Sequence, residues 1–246
     1  MEKVNDLLQG LKLSEVEKKG VKIGGRGSGK IGMEPRDMAK LFSEKPAHMD
    51  ALAQVLGKAW SPMRGVRCKD LRGNIFLFTF KHELEKRKAM EGGPWMFDKD
   101  LLLLEEFDPS KRIEDYEFWH VQMWVWVFNL PLGDMHRDNG EVIGNLIGET
   151  MEVDVGEDGM AIKIFMRIKV KMLVVEPLMR GSWLTVTKEV EGKEKEEKLW
   201  ARFEYEFLPD FCFACEIMGH DARDCSIKQK RRKPTIWKGS QGFYRD

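Results

Sequence analysis

The sequence predicts an α+β protein made of two small domains and a C-terminal metal-binding module. The first observation is an alternation of strand-like and helix-like patterns over residues 37–109. The second is a run of β-branched and aromatic residues that opens a further segment, residues 118–208. The third is a set of three cysteines and one histidine near the C-terminus. With 246 residues and 42% hydrophobic content, the chain can form two cores of about 100 residues each.

The first predicted domain, residues 37–109, has its elements in the order βαββαβ. Leu52, Val55 and Leu56 recur at helical spacing in the first helix, and two glycines and a proline at 92–94 end the second. This order is that of a ferredoxin-like fold, a plan that includes RNA-recognition domains. We expect strands at 38–42, 65–70, 74–80 and 101–107 and helices at 47–60 and 82–91.

The third of these strands carries an aromatic residue at every second position. Phe76, Phe78 and Phe80 share one face, because side chains alternate along a strand, and we expect them to form the core. Positions 75 and 77 then make the opposite face aliphatic. An RNA-recognition sheet stacks bases on exposed aromatic rings, so this domain is expected to lack that chemistry. The aliphatic face could instead pack against a protein, including a second copy of the chain, bind phosphates, or only support the rest of the chain.

A charged linker, residues 110–117, leads into the second predicted domain, a β-rich α+β unit. Trp124, Trp126 and Phe128 share one parity in its first strand and predict a buried aromatic face. Base stacking by Trp126 is the alternative, because residues 125–130 resemble the first-strand motif of RNA-recognition domains. The charged run 188–198 predicts a solvated hairpin loop. The remaining expected elements are a helix at 138–147 and strands at 151–155, 165–174, 183–187 and 199–205.

The C-terminal module, residues 209–226, contains Cys212, Cys215, His220 and Cys225 at the spacing C-x2-C-x4-H-x4-C, that of a CCHC zinc knuckle. Zinc prefers four tetrahedral nitrogen or sulfur ligands, and a Cys3His set leaves no position for water. The spacing therefore predicts one structural Zn²⁺ rather than a catalytic one. This short segment buries too little apolar surface to fold alone. Metal ligation should therefore supply the free energy that orders it.

The residues between the ligands indicate what the knuckle binds. Phe213, Gly219 and Arg223 match the retroviral-type knuckle pattern, and Phe213 and Met218 could form an apolar platform on which an unpaired base stacks. Glu216 departs from the pattern, since many knuckles carry glycine there. The sequence predicts single-stranded RNA or DNA as the partner, with binding of a protein by the knuckle as the alternative.

A basic tail, residues 227–246, follows the knuckle. Residues 226–246 carry seven Lys or Arg and one Asp, a net charge of +6, so the rest of the neutral chain carries −6. Such a block suits phosphate contact through counterion release. A solubilising tail and a nuclear localisation signal are the alternatives. The candidate phosphate contacts are Lys228, Lys230, Arg231, Arg232 and Lys233.

The remaining features exclude several other classes of protein. Residues 1–36 are polar and rich in glycine and lysine, which predicts a flexible segment. Cys68 is the one cysteine outside the zinc set, no signal peptide is visible, and no apolar run approaches the roughly 20 residues of a membrane span. We expect an intracellular protein of the nucleus or cytoplasm. Scattered histidines and the closed zinc set argue against an enzyme and against a small-molecule substrate.

Several short motifs together resemble one family. They are Lys-Leu-Phe-Ser-Glu-Lys-Pro at 40–46, Glu-Gly-Gly-Pro-Trp-Met-Phe at 91–97, Asn-Leu-Pro at 129–131 and Leu-Pro-Asp-Phe-Cys-Phe-Ala-Cys at 208–215. This set resembles plant retrotransposon-derived Gag-like proteins, which pair a plant domain of unknown function with a CCHC knuckle. Those proteins in turn resemble the first reading frame of LINE-type elements. The resemblance implies a particle protein that binds nucleic acid and self-associates, rather than a polymerase.

Overall fold

The computed structural model describes residues 14–21, 34–43, 45–61, 63–190, 193–220, 222–223 and 225. Most of the predicted N-terminal segment lies outside these residues, and so does the basic tail with Lys228, Lys230, Arg231, Arg232 and Lys233. The chain divides into two compact units, the first ending at Met33 and the second beginning at Glu34. In the described part of the first unit, Ser14 and Glu17 form a capping box for a short helix, α1 (Glu15–Lys18).

The first sheet lies in the second unit and contains five antiparallel strands in the order β2-β3-β1-β5-β4. Each predicted element is present, but β4 is an additional strand that the sequence pattern did not predict. It is only three residues long, and a two-residue turn with positive φ at Asp98 and Lys99 joins it to β5. The elements are β1 (Arg36–Leu41), α2 (Met49–Trp60), β2 (Arg67–Asp70), β3 (Ile75–Thr79), α3 (Glu83–Glu91), β4 (Trp95–Phe97) and β5 (Asp100–Glu106).

The aromatic face of β3 forms the core of the first sheet, as predicted. Phe76, Phe78 and Phe80 are at most 1% exposed and pack beneath α2. Trp60 of that helix meets the Phe78 ring edge to face, with 4.9 Å between the ring centroids. Leu52 of α2 is also fully buried in this cluster.

The aliphatic face of the same sheet packs inside the chain instead of being left for a partner. Ile75 and Leu77 lie against a second hydrophobic cluster, which contains Met38 and Leu103 of the first sheet together with strands of the second. Of the alternatives for this face, the packing favours support of the rest of the chain over binding of a partner. The alternation of side chains along β3 shows that these residues share a face. It does not show that a distant part of the chain covers this face.

The second sheet also has five antiparallel strands, in the order β7-β8-β6-β10-β9. Helix α4 packs on β7 and β8. Within the described residues, no helix has the length and apolar content needed to cross a bilayer. The elements are β6 (His120–Phe128), α4 (Arg137–Ile147), β7 (Glu149–Asp154), β8 (Met166–Leu173), β9 (Gly181–Val190) and β10 (Lys193–Tyr205).

The charged run 188–198 belongs mostly to strands, so the prediction of a hairpin loop there is wrong. Strands β9 and β10 stay paired from Gly181 opposite Arg202 to Val190 opposite Lys193. An antiparallel ladder satisfies backbone N–H and C=O groups without requiring a buried face. The charged residues of the run therefore indicate solvent exposure. They do not indicate that the strands end there.

The buried face of β6 is not the aromatic face that the sequence predicted. Val121, Met123, Val125 and Val127 are the buried set, whereas the alternate positions 124, 126 and 128 remain half-buried on the other face. The buried set contacts α4, the first sheet and the start of the knuckle in one cluster. The three aromatic side chains consequently form an outer face of the second sheet.

Candidate metal centre and neighbouring surfaces

Strand β10 leads after Tyr205 into the segment that holds the four predicted zinc ligands. The ligand atoms of Cys212, Cys215, His220 and Cys225 all lie within 4.8 Å of one another, and Cys215 Sγ is 3.3 Å from His220 Nε2. A tetrahedral zinc ion with bonds of about 2.0–2.3 Å separates its ligand atoms by roughly 3.5–3.8 Å. The cluster therefore fits one structural zinc, as the spacing predicted.

Backbone hydrogen bonds shape the loop around the ligands. The Cys212 N–H donates to the Ile217 carbonyl at 2.9 Å, and the Glu216 N–H donates to the Cys212 carbonyl at 2.7 Å. The Ala214 N–H donates to Cys212 Sγ at 3.4 Å, a contact that favours a thiolate. Gly219 has φ +85°, a left-handed conformation that glycine adopts without steric cost, directly before the ligand His220.

The departure at Glu216 has a structural explanation. This residue has φ +66°, in the left-handed region where glycine is favoured and other residues cost about 1–3 kcal/mol. Its carboxylate lies 3.2 Å from the Arg180 guanidinium, and its carbonyl accepts a 2.8 Å hydrogen bond from the Leu178 N–H. These contacts offset part of the strain and hold the knuckle against the segment between β8 and β9.

Met218 does not belong to a base-stacking platform, which corrects the prediction from sequence. Its side chain is 4% exposed and lies in the hydrophobic cluster of the second sheet. An antiparallel bridge between Phe211 and Met218 positions this part of the loop, and the side chain packs into the interior. This apolar contact anchors the knuckle to the rest of the fold, whereas the four zinc ligands all lie within the knuckle.

Phe213 and Arg223 are positioned to meet a ligand. Phe213 is 69% exposed, and its ring centroid lies 4.7 Å from that of Phe211, which supports it on one side. Arg223 is also exposed. An exposed ring can accept a stacked base, and an exposed guanidinium can contact a phosphate. Both residues therefore stay candidate nucleic-acid contacts.

The pKa values of two thiols of the centre, Cys212 and Cys215, are shifted in opposite directions. Burial raises the pKa of Cys215 to about 11, and the neighbouring thiols of Cys212 and Cys225 add to the rise. Burial also opposes ionisation of Cys212, but backbone N–H groups of Cys215 and Ala214 bring the pKa of Cys212 below its ordinary value. Zinc must displace the remaining thiol protons, so its affinity should fall on acidification.

The outer face of the second sheet combines aromatic rings with guanidinium groups. Trp126 stacks on Phe165 with 4.8 Å between ring centroids, and its Nε1–H donates to Glu206. The Arg167 guanidinium lies 3.6 Å above the Trp124 ring while it also hydrogen-bonds Glu206. The charge of the Arg167 guanidinium is therefore shared with the carboxylates of Glu206 and Asp154.

Sequence reasoning missed two tryptophans on this sheet. Trp183 and Trp200 face each other across β9 and β10, are 67% and 40% exposed, and have ring centroids 5.5 Å apart. Aromatic side chains are enriched at interfaces, so such a pair indicates a contact surface. No local signal in the sequence marked their exposure, because alternation along a strand does not tell which face of β9 and β10 is covered.

Comparison with known protein families gives two matches. Residues 39–115 match the Domain of unknown function (DUF4283), and residues 186–227 match the Zinc knuckle family. No curated protein matches the chain. The chain therefore combines a DUF4283 domain with a CCHC zinc knuckle, and the expectation of a domain of unknown function followed by a knuckle is confirmed. The zinc-knuckle match begins at Val186 in β9, so it includes the strand that leads into the ligands.

Proposed function

We propose that this protein binds single-stranded nucleic acid, with RNA as the expected ligand, through its zinc-ordered knuckle and its basic tail. The observation that carries the proposal is the exposed Phe213 ring inside a closed Cys3His cluster. Zinc holds the short loop in one conformation, and the loop presents the ring where an unpaired base can stack. Zinc knuckles commonly bind nucleic acids, and this chain retains the ligands and the aromatic residue that such binding uses.

The tail supplies the attraction to phosphate in this proposal. The five cations between Lys228 and Lys233 follow the knuckle directly, while residues 1–225 carry a net charge of −6. A single knuckle contacts only a few nucleotides, so most of the affinity should come from counterion release along the tail. Binding should consequently depend strongly on salt and only weakly on base sequence.

The proposal extends to the kind of protein that this is. The pairing of DUF4283 with a knuckle and the motif resemblance support a Gag-like protein derived from a plant retrotransposon of LINE type. The order β2-β3-β1-β5 supports a ferredoxin-like first domain. A closed ligand set favours binding over catalysis, and the cysteine usage favours an intracellular location, in the nucleus or the cytoplasm. Self-association belongs to this proposal as well.

A protein-interaction role is the second candidate, and one observation favours it. The exposed pair Trp183 and Trp200 lies on the outer face of the second sheet, outside the knuckle. Rings of this size at a solvent-exposed position are typical of contact surfaces between proteins. This candidate predicts oligomers or protein complexes that form without nucleic acid.

A titration with labelled single-stranded RNA and DNA at several salt concentrations, with and without a zinc chelator, tests the proposal. Phe213→Ala should weaken binding about equally at every salt concentration, because stacking releases few counterions. The matched control is Phe207→Ala, since Phe207 is a similarly exposed phenylalanine outside the ligand loop. Neutralising the five tail cations should flatten the log–log salt slope by up to about 3.5, since each phosphate contributes roughly 0.7. Binding that is indifferent to zinc and to Phe213 would contradict the proposal.

A further inference from the structure

A cleft of about 680 Å³ separates the knuckle from the DUF4283 domain. One wall consists of the described residues of the loop that follows β1, residues 42–43 and 45–48, and of the β4–β5 turn, residues 97–101. The other wall comes from the knuckle and includes Gly219, His220 and Arg223. Small-ligand sites in proteins typically measure about 300–1,000 Å³, so one nucleotide fits this volume.

Both walls of the cleft are preformed. The Asn74 side chain holds the loop after β1, because its amide nitrogen donates to the carbonyls of Ser43 and Lys45 at 2.9 Å. Its amide oxygen accepts a 3.0 Å hydrogen bond from the Ala47 N–H. On the opposite wall, zinc ligation and the buried Met218 hold the knuckle. Binding would therefore cost little loop ordering, which favours affinity.

The two walls also approach each other closely. A Cβ atom added to Gly219 would lie 3.7 Å from the ring of Phe42, an ordinary van der Waals contact. Phe42 thus lies beside the knuckle turn although it belongs to the first domain. A ligand that enters the cleft must contact both parts of the chain.

The lining of the cleft changes from apolar at depth to charged at the rim. Leu101 is buried, and Phe42 and Phe97 are half-buried, whereas Lys45 and Lys99 are exposed. The exposed lining also includes Arg223 and the carboxylates of Asp98 and Asp210.

This arrangement matches the parts of a nucleotide. Aromatic and aliphatic side chains suit the face of a base, and lysine or arginine suits a phosphate. Carboxylates accept hydrogen bonds from the exocyclic amino groups of bases. Because the rim cations and carboxylates offset one another, the cleft has little net attraction for a small anion such as free phosphate.

We infer that the knuckle and the DUF4283 domain together form a nucleotide subsite in this cleft, so that one single strand contacts both. The inference rests on the proposed function and names a second surface for it. Gly219 and Arg223 lie between zinc ligands and His220 is itself a ligand, so removal of zinc releases this wall of the cleft. Loss of zinc should then abolish the contacts made by Lys45 and Lys99 as well as those of the knuckle.

The first test is a titration of the full chain with a 12-nucleotide single-stranded RNA that contains all four bases. The double variant Lys45→Gln, Lys99→Gln should bind about ten-fold more weakly at low salt, and its salt slope should flatten by about 1.4 if two phosphates are lost. The matched control is Lys58→Gln, Lys69→Gln, which removes two exposed lysines of the same domain outside the cleft. The control should retain the parental slope, and a cleft variant that behaves like the control would overturn the inference.

The second test uses the unaltered protein, so it does not depend on how the variants fold. A strand that carries 4-thiouridine is photocrosslinked to the zinc-loaded chain, and the attached peptides are identified by mass spectrometry. We expect crosslinks at residues 40–48 or 95–101 that disappear after chelation. Crosslinks confined to residues 209–246 would refute the cleft while the proposed function stands. Failure of the unaltered protein to bind RNA would instead refute the proposed function.

Discussion

Strands β3 and β6 have the same aromatic pattern and opposite environments. Phe76, Phe78 and Phe80 lie on the face of the first sheet that α2 covers, and they are at most 1% exposed. The aromatic residues at 124, 126 and 128 lie on the outer face of the second sheet and are half-buried. The comparison teaches that alternation determines which side chains share a face, whereas the layer packed on the sheet determines which face is buried.

The chemistry of the rings explains part of this difference. Phenylalanine has no polar atom, so its complete burial leaves no hydrogen-bond donor without a partner. Tryptophan carries an indole N–H donor, and that of Trp126 donates to Glu206, directly after β10. Valine and methionine occupy the inner positions of β6 instead, where they pack densely without any such requirement.

The largest expected change in stability is at the face of the first sheet that α2 covers. Phe78→Ala should lower the free energy of unfolding by about 3–5 kcal/mol, because it removes a fully buried ring that contacts Trp60. Urea unfolding followed by tryptophan fluorescence measures this change. A loss below about 1 kcal/mol would mean that the face is less tightly packed than the structure indicates.

The face of the first sheet that α2 covers also contains a carboxylate. Asp37 is paired with Phe78 in the sheet register and is 0% exposed, and burial raises the pKa of Asp37 to about 7 although Lys86 opposes the rise. The unfolded chain loses this proton near pH 4 and the folded protein only near pH 7. The contribution of Asp37 to stability should therefore fall as pH rises from about 4 to 7, by about 1.4 kcal/mol per unit of pKa shift, or a few kcal/mol in total.

Asp37→Asn tests this pH dependence, because asparagine does not titrate. The free energy of unfolding of the asparagine variant should increase relative to the parent as pH rises through this window. Denaturant unfolding at intervals between pH 4 and pH 8 gives the difference directly. A difference that stays constant with pH would show that Asp37 is ionised in the folded protein.

A smaller effect is expected on the outer face. Trp126→Ala should cost about 1–3 kcal/mol of stability, less than at Phe78, because the ring is half-buried and loses the Phe165 contact and the Glu206 hydrogen bond. Thermal melts measure this cost, and RNA affinity should be unchanged. A loss of about 1–3 kcal/mol in RNA binding would instead assign base stacking to this strand.

The smallest effect is expected at Trp183, which is 67% exposed. Trp183→Ala should change the free energy of unfolding by no more than about 0.5–1 kcal/mol, mainly through the lost contact with the Trp200 ring. Thermal melts give this number. Sedimentation of the same variant in the absence of RNA tests the protein-interaction alternative, which predicts that any oligomer of the parent dissociates.

The zinc centre shows how much of a site can follow from sequence. All four ligands lie within 14 residues, so their spacing alone determines whether they can surround one ion. The glycine at 219 was equally predictable, because the turn beside His220 needs a positive φ. Met218 was not predictable from the same motif, because its burial depends on the cluster formed by the second sheet.

The sequence by itself determined the two α+β segments, the metal centre and the membership of each strand face, because these depend on local periodicity and ligand spacing. Only the tertiary structure decided which face of β6 is buried, that Ile75 and Leu77 pack within the chain, and that β9 and β10 extend through the charged run. It alone brought Lys45 and Lys99 opposite Arg223 in one cleft. These outcomes depend on contacts between residues far apart in the chain, for which a local pattern carries no signal.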